Sequence, residues 1–319
     1  PPYIGKARDE EPGTEDQPTG GLFFKIGPKV HEYNCVRNSW LRAGFVRTNS
    51  WSKCAGYWGR HCSASTFRNL NRWQKVNHFP GSWMLGRKDR LGRIMGRMRR
   101  MHGTDFDMHA ETMVMPMDRR KLSNLISAEP RALWIIKPAS SSCGRGIRVV
   151  SSQTINPKKL RKGTIVQRYL SKPYLIDGRK FDMRIYIVVT CYDPLRAYIC
   201  EEGLVRFATG KYSRSLKSLK NRFVHLTNYS VNKNSDEFVK PTSNAKGNGV
   251  EQTQAASKWT LTHLLKYFRE NGVDDGKVLD DIKDCCVKTL ISAETHIASL
   301  VHQVRTSGQT AFFFCFFFF

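Results

Sequence analysis

The pattern of apolar and polar positions divides the chain into two kinds of stretch. From Leu133 to Ala208 the apolar runs are short. Trp134-Ile-Ile-Lys-Pro138 is followed by the small-residue stretch Ala139-Ser-Ser-Ser-Cys-Gly-Arg-Gly146, then by a second run, Ile147–Val150. Ile165–Leu170 is a third run, and Phe181–Thr190, Ala197–Cys200 and Leu204–Ala208 follow, with a turn at Tyr192-Asp-Pro194. Runs of this length bounded by Gly, Pro and Ser predict strands. Lys180, Asp182 and Arg184 alternate with Phe181, Met183 and Ile185, so the strand period places the three polar side chains on one face.

Elsewhere the period lengthens to three and four. Leu91, Ile94, Met95, Met98 and Met101 recur at those steps, predicting an amphipathic helix over Leu85–Met101 with a face rich in arginine. The spacing also predicts helices over Asn34–Trp40, Asp118–Ala128, Lys258–Glu270 and Val278–His302. Leu22–Ile26, Phe45–Trp51 and Gly56–Trp58 read as strands. Trp40, Trp51, Tyr57, Trp58 and Trp73 read as core aromatics, and Asn77–Ser82 as a Pro-Gly turn. Pro157–Lys162 and Ser213–Asn221 read as short basic helical turns. Pro1–Gly21 is rich in Pro, Gly and acids and reads as a disordered lead-in, and Asn232–Ser257 as a mobile polar loop.

The first strand-loop-strand unit carries chemistry. A lysine at a strand end beside a Ser/Gly loop can lay a point charge and backbone N–H groups over phosphates, although an ordinary hairpin loop has the same pattern. Ile165-Val-Gln167 fits a buried strand whose end meets an adenine edge through backbone groups. A face of Lys180, Asp182 and Arg184 suits a triphosphate, and equally a solvated strand. Glu202-Gly-Leu-Val-Arg-Phe-Ala208 places Arg206 in a further strand, and His225-Leu-Thr-Asn-Tyr-Ser-Val-Asn232 gathers polar and aromatic side chains.

Charge narrows the partner. The 319 residues hold 52 Lys and Arg against 27 Asp and Glu, a formal net charge of +25. That balance calls for a nucleic acid, an anionic membrane or an acidic protein tail. No nucleic-acid recognition signature is present, which disfavours the first, and no signal peptide or spanning helix is legible, which disfavours a membrane. The cysteine count is nine, and no C-x-x-C occurs, so neither a disulfide framework nor a zinc site is indicated.

Six ordered segments together resemble the tubulin–tyrosine ligase-like family, with the closest likeness to its polyglutamylases. They are Asn77-His-Phe-Pro-Gly-Ser82, Trp134-Ile-Ile-Lys-Pro138, Val166-Gln-Arg-Tyr169, Lys180-Phe-Asp-Met-Arg184, Glu202–Ala208 and His225-Leu-Thr-Asn-Tyr-Ser230. The resemblance implies an α+β ATP-grasp-like fold, two subdomains around ATP behind a small N-terminal lobe. Residues 22–128 would form that lobe, 129–185 the central subdomain and 186–304 an incomplete C-terminal subdomain. It implies that Lys137 and Lys180 neutralise ATP phosphates under a loop of Cys143, Gly144 and Gly146. Gln167, Arg168, Tyr169 and Leu170 would line the adenine pocket. Phe181 lies in the same nucleotide-binding segment, and Thr227 and Asn228 would sit by the nucleotide, supported by Asp182. Arg206, Tyr229 and Ser230 would hold the carboxylate of the incoming amino acid, and Arg184 would stabilise the transferred phosphoryl group.

The implied reaction is ATP-dependent ligation of free glutamate to side-chain carboxylates of acidic tubulin tails, through an acylphosphate. It would take place in the cytoplasm on the cytoskeleton, with cilium basal body and centrosome as narrower sites. One departure stands against full activity. The family's usual Mg2+ ligands, an Asp and a Glu-Val-Asn segment after the last helix, have no counterpart, since the last acidic residue is Glu294 and the chain ends Ala311-Phe-Phe-Phe-Cys-Phe-Phe-Phe-Phe319. No metal ligand is therefore assigned. The expectation is a truncated, impaired enzyme with an aberrant tail over 305–319. The alternative is an inactive microtubule-binding fragment.

Overall fold

The structure is a computed structural model that describes residues 21–71, 73–139, 141, 143–240, 242–243, 250–251, 256–304 and 315–318. The expected lead-in and most of the tail lie outside those residues. Three four-stranded sheets frame the molecule. The first joins β1 (Phe23–Ile26), β2 (Val46–Arg47), β3 (Gly56–Trp58) and β4 (Lys75–Val76) in parallel, in the order β2-β1-β3-β4. The helices α1 (Asn34–Arg42) and α2 (Ala64–Arg68) accompany it. The Phe45–Trp51 stretch shortens to the two residues of β2. Its five aromatic companions are half-buried and outside the fully buried set. Trp40, Tyr57 and Trp58 line a groove of about 710 Å³.

The expected helix over Leu85–Met101 breaks at Arg87, whose extended backbone separates α3 (Trp83–Gly86) from α4 (Lys88–His102). Asp89 and the basic last turn complement the α4 macrodipole. Met95 is buried, whereas Met101 is 60% exposed, so the apolar stripe stops a turn early.

The second sheet is antiparallel and joins β5 (Thr112–Val114), β6 (Leu133–Pro138), β7 (Arg148–Ser151) and β8 (Thr164–Arg168) in the order β5-β8-β6-β7. Its inner face and α5 (Arg119–Ala128) enclose a small core of Met113, Leu122, Trp134, Ile136 and Val166. β5 and α5, placed with the N-terminal lobe on sequence, thus pair and pack with this sheet.

The third sheet runs β16-β13-β10-β9, from β9 (Leu175–Ile176), β10 (Arg179–Arg184), β13 (Leu204–Lys211) and β16 (Lys258–Thr260). β10 belongs here by pairing, although sequence placed it with the central subdomain. Between these strands, β11 (Tyr186–Tyr192) pairs with β12 (Leu195–Ile199), and the backbone of Cys315–Phe318 adds antiparallel to β11. Only parts of the Asn232–Ser257 loop are described, including a two-residue strand pair at Thr242–Ser243 and Val250–Glu251.

The expected helix from Lys258 is corrected. Lys258–Thr260 is strand, because its backbone pairs with Leu204–Arg206. Thr260 then caps α8 (Leu261–Glu270) by accepting a hydrogen bond from the His263 N–H, and Gly272 follows the helix with φ +72°. Helix α9 (Asp275–Val304) buries Cys286, Leu290, Ala293, Ile297 and Val301, much as its spacing predicts. With α8, β11 and β13 it forms the larger core, to which Phe67 and Phe79 of the first lobe also belong. Among the described residues no helix is long and apolar enough to cross a membrane.

Candidate active site

Strand alternation sets the site. On β6, Trp134 and Ile136 point into the small core, so Lys137 faces the other way. Its Nζ donates to Gln167 Oε1 at 2.6 Å, and Gln167 Nε2 donates to Thr112 Oγ1 at 2.9 Å. Lys180, on β10 of the facing sheet, donates to the Tyr169 hydroxyl at 3.2 Å and to the His225 carbonyl at 3.4 Å. Burial pushes both ammonium groups down to about 8. For Lys137, Lys88 and Lys180 push further; for Lys180, Asp182 opposes the shift. Two half-buried cations short of anions form a site that an anionic ligand would stabilise.

The loop after β6 is wound by three left-handed residues, Cys143 (φ 60°), Gly144 (71°) and Gly146 (70°). A Cβ on Gly144 would stand 2.9 Å from Val231 Cγ2 and 3.0 Å from Asn228 Oδ1, so the close approach requires glycine. The loop is held from two directions. Lys88, at the start of α4, donates to the Ser141 carbonyl at 2.7 Å. From the other lobe, Ser230 Oγ donates to the Cys143 carbonyl at 2.8 Å and Arg222 Nη2 to the Gly144 carbonyl at 2.7 Å. Ser230 closes the loop by this bond.

Across the third sheet, Asp182, Arg206 and Lys258 are in register on β10, β13 and β16. Arg206 grips Asp182 with two N–H groups, Nε to Oδ1 at 2.8 Å and Nη2 to Oδ2. Lys258 Nζ stands 3.7 Å from the ring centroid of Tyr229, within cation–π range. Tyr229 opens α7 (Tyr229–Asn232), which follows the short α6 (Arg222–His225). Burial lowers the Arg184 guanidinium, and Arg206 adds to the effect, while Asp182 and Tyr186 oppose it.

Other predicted residues fall elsewhere. Arg168 lies one strand position beyond Gln167 and so on the opposite face, paired with Glu129 and lying 4.4 Å over the Trp134 ring. Leu170 is 67% exposed. Phe181 packs on Phe207 at 5.7 Å, away from the polar face of its strand. Thr227 is buried, and the Asn228 carbonyl accepts from Asn232 Nδ2 at 3.1 Å. Sequence reasoning missed three residues. Lys88 lies inside the span read as one amphipathic helix, Lys258 inside another span read as helix, and the polar segment ending at Asn232 points to no role for that residue. Asn232 is buried and holds the site's floor: Oδ1 accepts from the Thr209 N–H at 2.9 Å, and Nδ2 donates to the Leu226 carbonyl at 2.7 Å.

A divalent metal between phosphates needs one or two carboxylates. Among the described residues no group of three or more His, Cys, Asp or Glu could hold a metal ion, and Asp182 is engaged by Arg206. These residues do not fit the magnesium implied by the resemblance, and no step is derived through it.

Two antiparallel sheets facing each other across half-buried lysines, with a glycine loop between, define an ATP-grasp-like fold. The profile of the tubulin-tyrosine ligase family matches residues 66–316, and the chain belongs to that family, whose ligases are ATP-dependent. It is 44% identical over 272 residues to human tubulin monoglutamylase TTLL4, covering 84% of this chain and 22% of the relative. It is 40% identical over 242 residues to human tubulin polyglutamylase TTLL5, covering 76% of this chain and 18% of the relative. The Caenorhabditis elegans tubulin polyglutamylase ttll-4 is 39% identical over 244 residues, 76% of this chain and 38% of its own length. The chain thus spans about a fifth of the length of the two human relatives.

Proposed function

We propose that this protein is an ATP-dependent ligase that joins free glutamate to side-chain carboxylates of tubulin tails. The observation that carries the reading is the convergence of Lys88, Lys137 and Lys180 around one glycine loop, next to the row of Asp182, Arg206 and Lys258. The names of the relatives supply the amino acid and the acceptor.

ATP lies between the two sheets. Lys137 and Lys180 face its phosphates, the Cys143–Gly146 loop covers them, and the backbone of Gln167–Leu170 meets the adenine. Thr227 and Asn228 line the floor. An acceptor carboxylate oxygen attacks the γ-phosphorus, ADP leaves, and an acylphosphate forms. Arg184, with its charge held in a buried position, steadies the transferred group. The amine of free glutamate then attacks the acyl carbon, loses a proton, and phosphate departs with the bridging oxygen. Arg206 keeps N–H groups beyond those on Asp182, and with Lys258 and Tyr229 it receives the carboxylates of glutamate. Preorganised charge stabilises the phosphoryl transfer, and the closed loop keeps water from the acylphosphate. The protein acts on microtubules of the cytoskeleton, including those of basal bodies and centrosomes. The engagement of Asp182 by Arg206 favours a second reading, a microtubule-binding protein without ligation. Acceptor peptide labelled with oxygen-18 in its glutamate carboxylates separates the two. Ligation transfers one label to the released phosphate, and unlabelled phosphate or no product contradicts the proposal.

A further inference from the structure

Beside the loop lies a cleft of about 690 Å³ that the mechanism does not use. Arg145 comes to it from the loop, and Lys220, Arg222 and Lys233 come from the other lobe. Cys143 and Ser230, hydrogen-bonded to each other, also line it. No Asp or Glu lines it. Arg222 is spent on the Gly144 carbonyl. Arg145, Lys220 and Lys233 are exposed and have no ion-pair partner among the described residues. The basic face of α4 is different. There Arg99 is paired with Asp107, and the adjoining cavity includes two acids, Glu111 and Asp118, the former paired with Lys121 of α5.

Four like charges from two sides of one boundary repel each other unless an anion stands between them. We infer that this cleft binds the acidic stretch flanking the acceptor glutamate, and that the bound carboxylates hold the phosphate loop closed by bridging Arg145 to Lys220 and Lys233. The inference rests on the proposed reaction for the identity of the acidic peptide. Carboxylates on arginine and lysine suit such a cleft, and its wall is continuous with Cys143, the edge of the loop an acceptor must pass. Since Arg145 moves with the loop, peptide binding and nucleotide retention are coupled. The coupling is reciprocal: the peptide tightens ATP, and ATP tightens the peptide by the same factor. The peptide then reinforces a loop that Lys88, Arg222 and Ser230 already hold, and ATP is retained longest when a tail is bound.

The test uses the full chain, a fluorescent oligoglutamate peptide read by anisotropy, and ATP affinity measured with and without that peptide. Lys220→Glu with Lys233→Glu is compared with Arg97→Glu with Arg100→Glu on the α4 face. Lys220→Ala with Lys233→Ala serves as a milder pair, and an unchanged melting temperature checks folding. The cleft variant is expected to weaken the peptide about tenfold or more at low salt and to abolish its effect on ATP. The α4 variant is expected to change this short peptide's affinity less than about threefold. Unaltered peptide affinity in the cleft variant, or a peptide that leaves wild-type ATP affinity unchanged, overturns the inference. Peptide binding and coupling as expected, with no labelled glutamate joined to the peptide, would instead overturn the proposed reaction and leave the cleft standing.

Discussion

Asp182 and Arg206 are direct cross-strand partners, held by two hydrogen bonds with Nε to Oδ1 at 2.8 Å. The pair sits where the polar face of β10 meets β13, between Lys180 and the lysine that faces Tyr229, Lys258. It fixes the guanidinium plane, as a two-pronged arginine–carboxylate contact does. Arg206→Ala removes a proposed carboxylate ligand and leaves Asp182 unpaired. Breaking a fully buried pair costs ~3–5 kcal/mol. The Asp182 side chain is 37% exposed, so the expected loss of stability is only about 1–2 kcal/mol. Glutamate ligation should fall by about a hundredfold or more, and Arg206→Lys should restore little of it, because ammonium lacks the fork. Thermal melting and incorporation rates measure the two effects separately.

Lys137 and Lys180 give nucleotide binding a definite pH dependence. Burial holds both near 8, and on the proposed placement phosphate charge raises both when ATP binds. Binding therefore takes up protons, and affinity falls as pH rises through 8. Above that value the loss approaches about tenfold per pH unit for each lysine. Calorimetry at pH 8 in buffers of different ionisation enthalpy should show net proton uptake. Proton release would contradict the placement of these lysines. The effect on stability has the opposite sense. The folded state holds fewer protons than the unfolded chain between about 8 and the ordinary lysine value of 10.5, so these two groups make folding more favourable as pH rises across that window.

Gly144→Ala tests the loop. The new methyl would meet Val231 and Asn228 at 3.0 Å or less, on a backbone with φ 71°. The loop should lift from the other lobe, with ATP affinity weakened about tenfold and the melting temperature nearly unchanged, since strain at one such residue is about 1–3 kcal/mol. Equilibrium nucleotide binding is the measurement.

Asn232→Ala should act mainly on folding. Asn232 is 1% exposed and joins β13 to the turn carrying Thr227 and Asn228. Its removal strands the buried Thr209 N–H and the Leu226 carbonyl. About 2–4 kcal/mol of stability should be lost, at roughly 1–3 kcal/mol for an unsatisfied buried group. Denaturant titration reads it. Asn232→Asp should be no milder, because the carboxylate cannot donate to Leu226 and Asn228.

Most of the strand framework was legible in the sequence, because β6, β8, β10 and β13 are short apolar runs with period-two faces. Lys137 and Lys180 were legible for the same reason, each on the polar side of such a run. Lys258 was not. Trp259, Leu261 and Leu264 satisfy helical spacing, and a three-residue strand is too short to show a period of its own. Only its pairing with Arg206 reveals it, and that partner is remote in sequence. Lys88 was hidden among seven basic residues, because the break at Arg87 that aims it toward Ser141 leaves the apolar spacing on both sides intact. Arg168 is the converse case. It neighbours Gln167 in a motif, yet the pleat turns it to the other face of the sheet.

The central claim is tested most directly by supplying the full chain with microtubules, ATP and labelled glutamate, with labelled glycine in parallel. The account predicts incorporation of glutamate into tubulin, and its loss in Lys180→Ala. No incorporation by the wild-type chain under conditions where it binds both ATP and microtubules would contradict the account and leave a binding protein in its place.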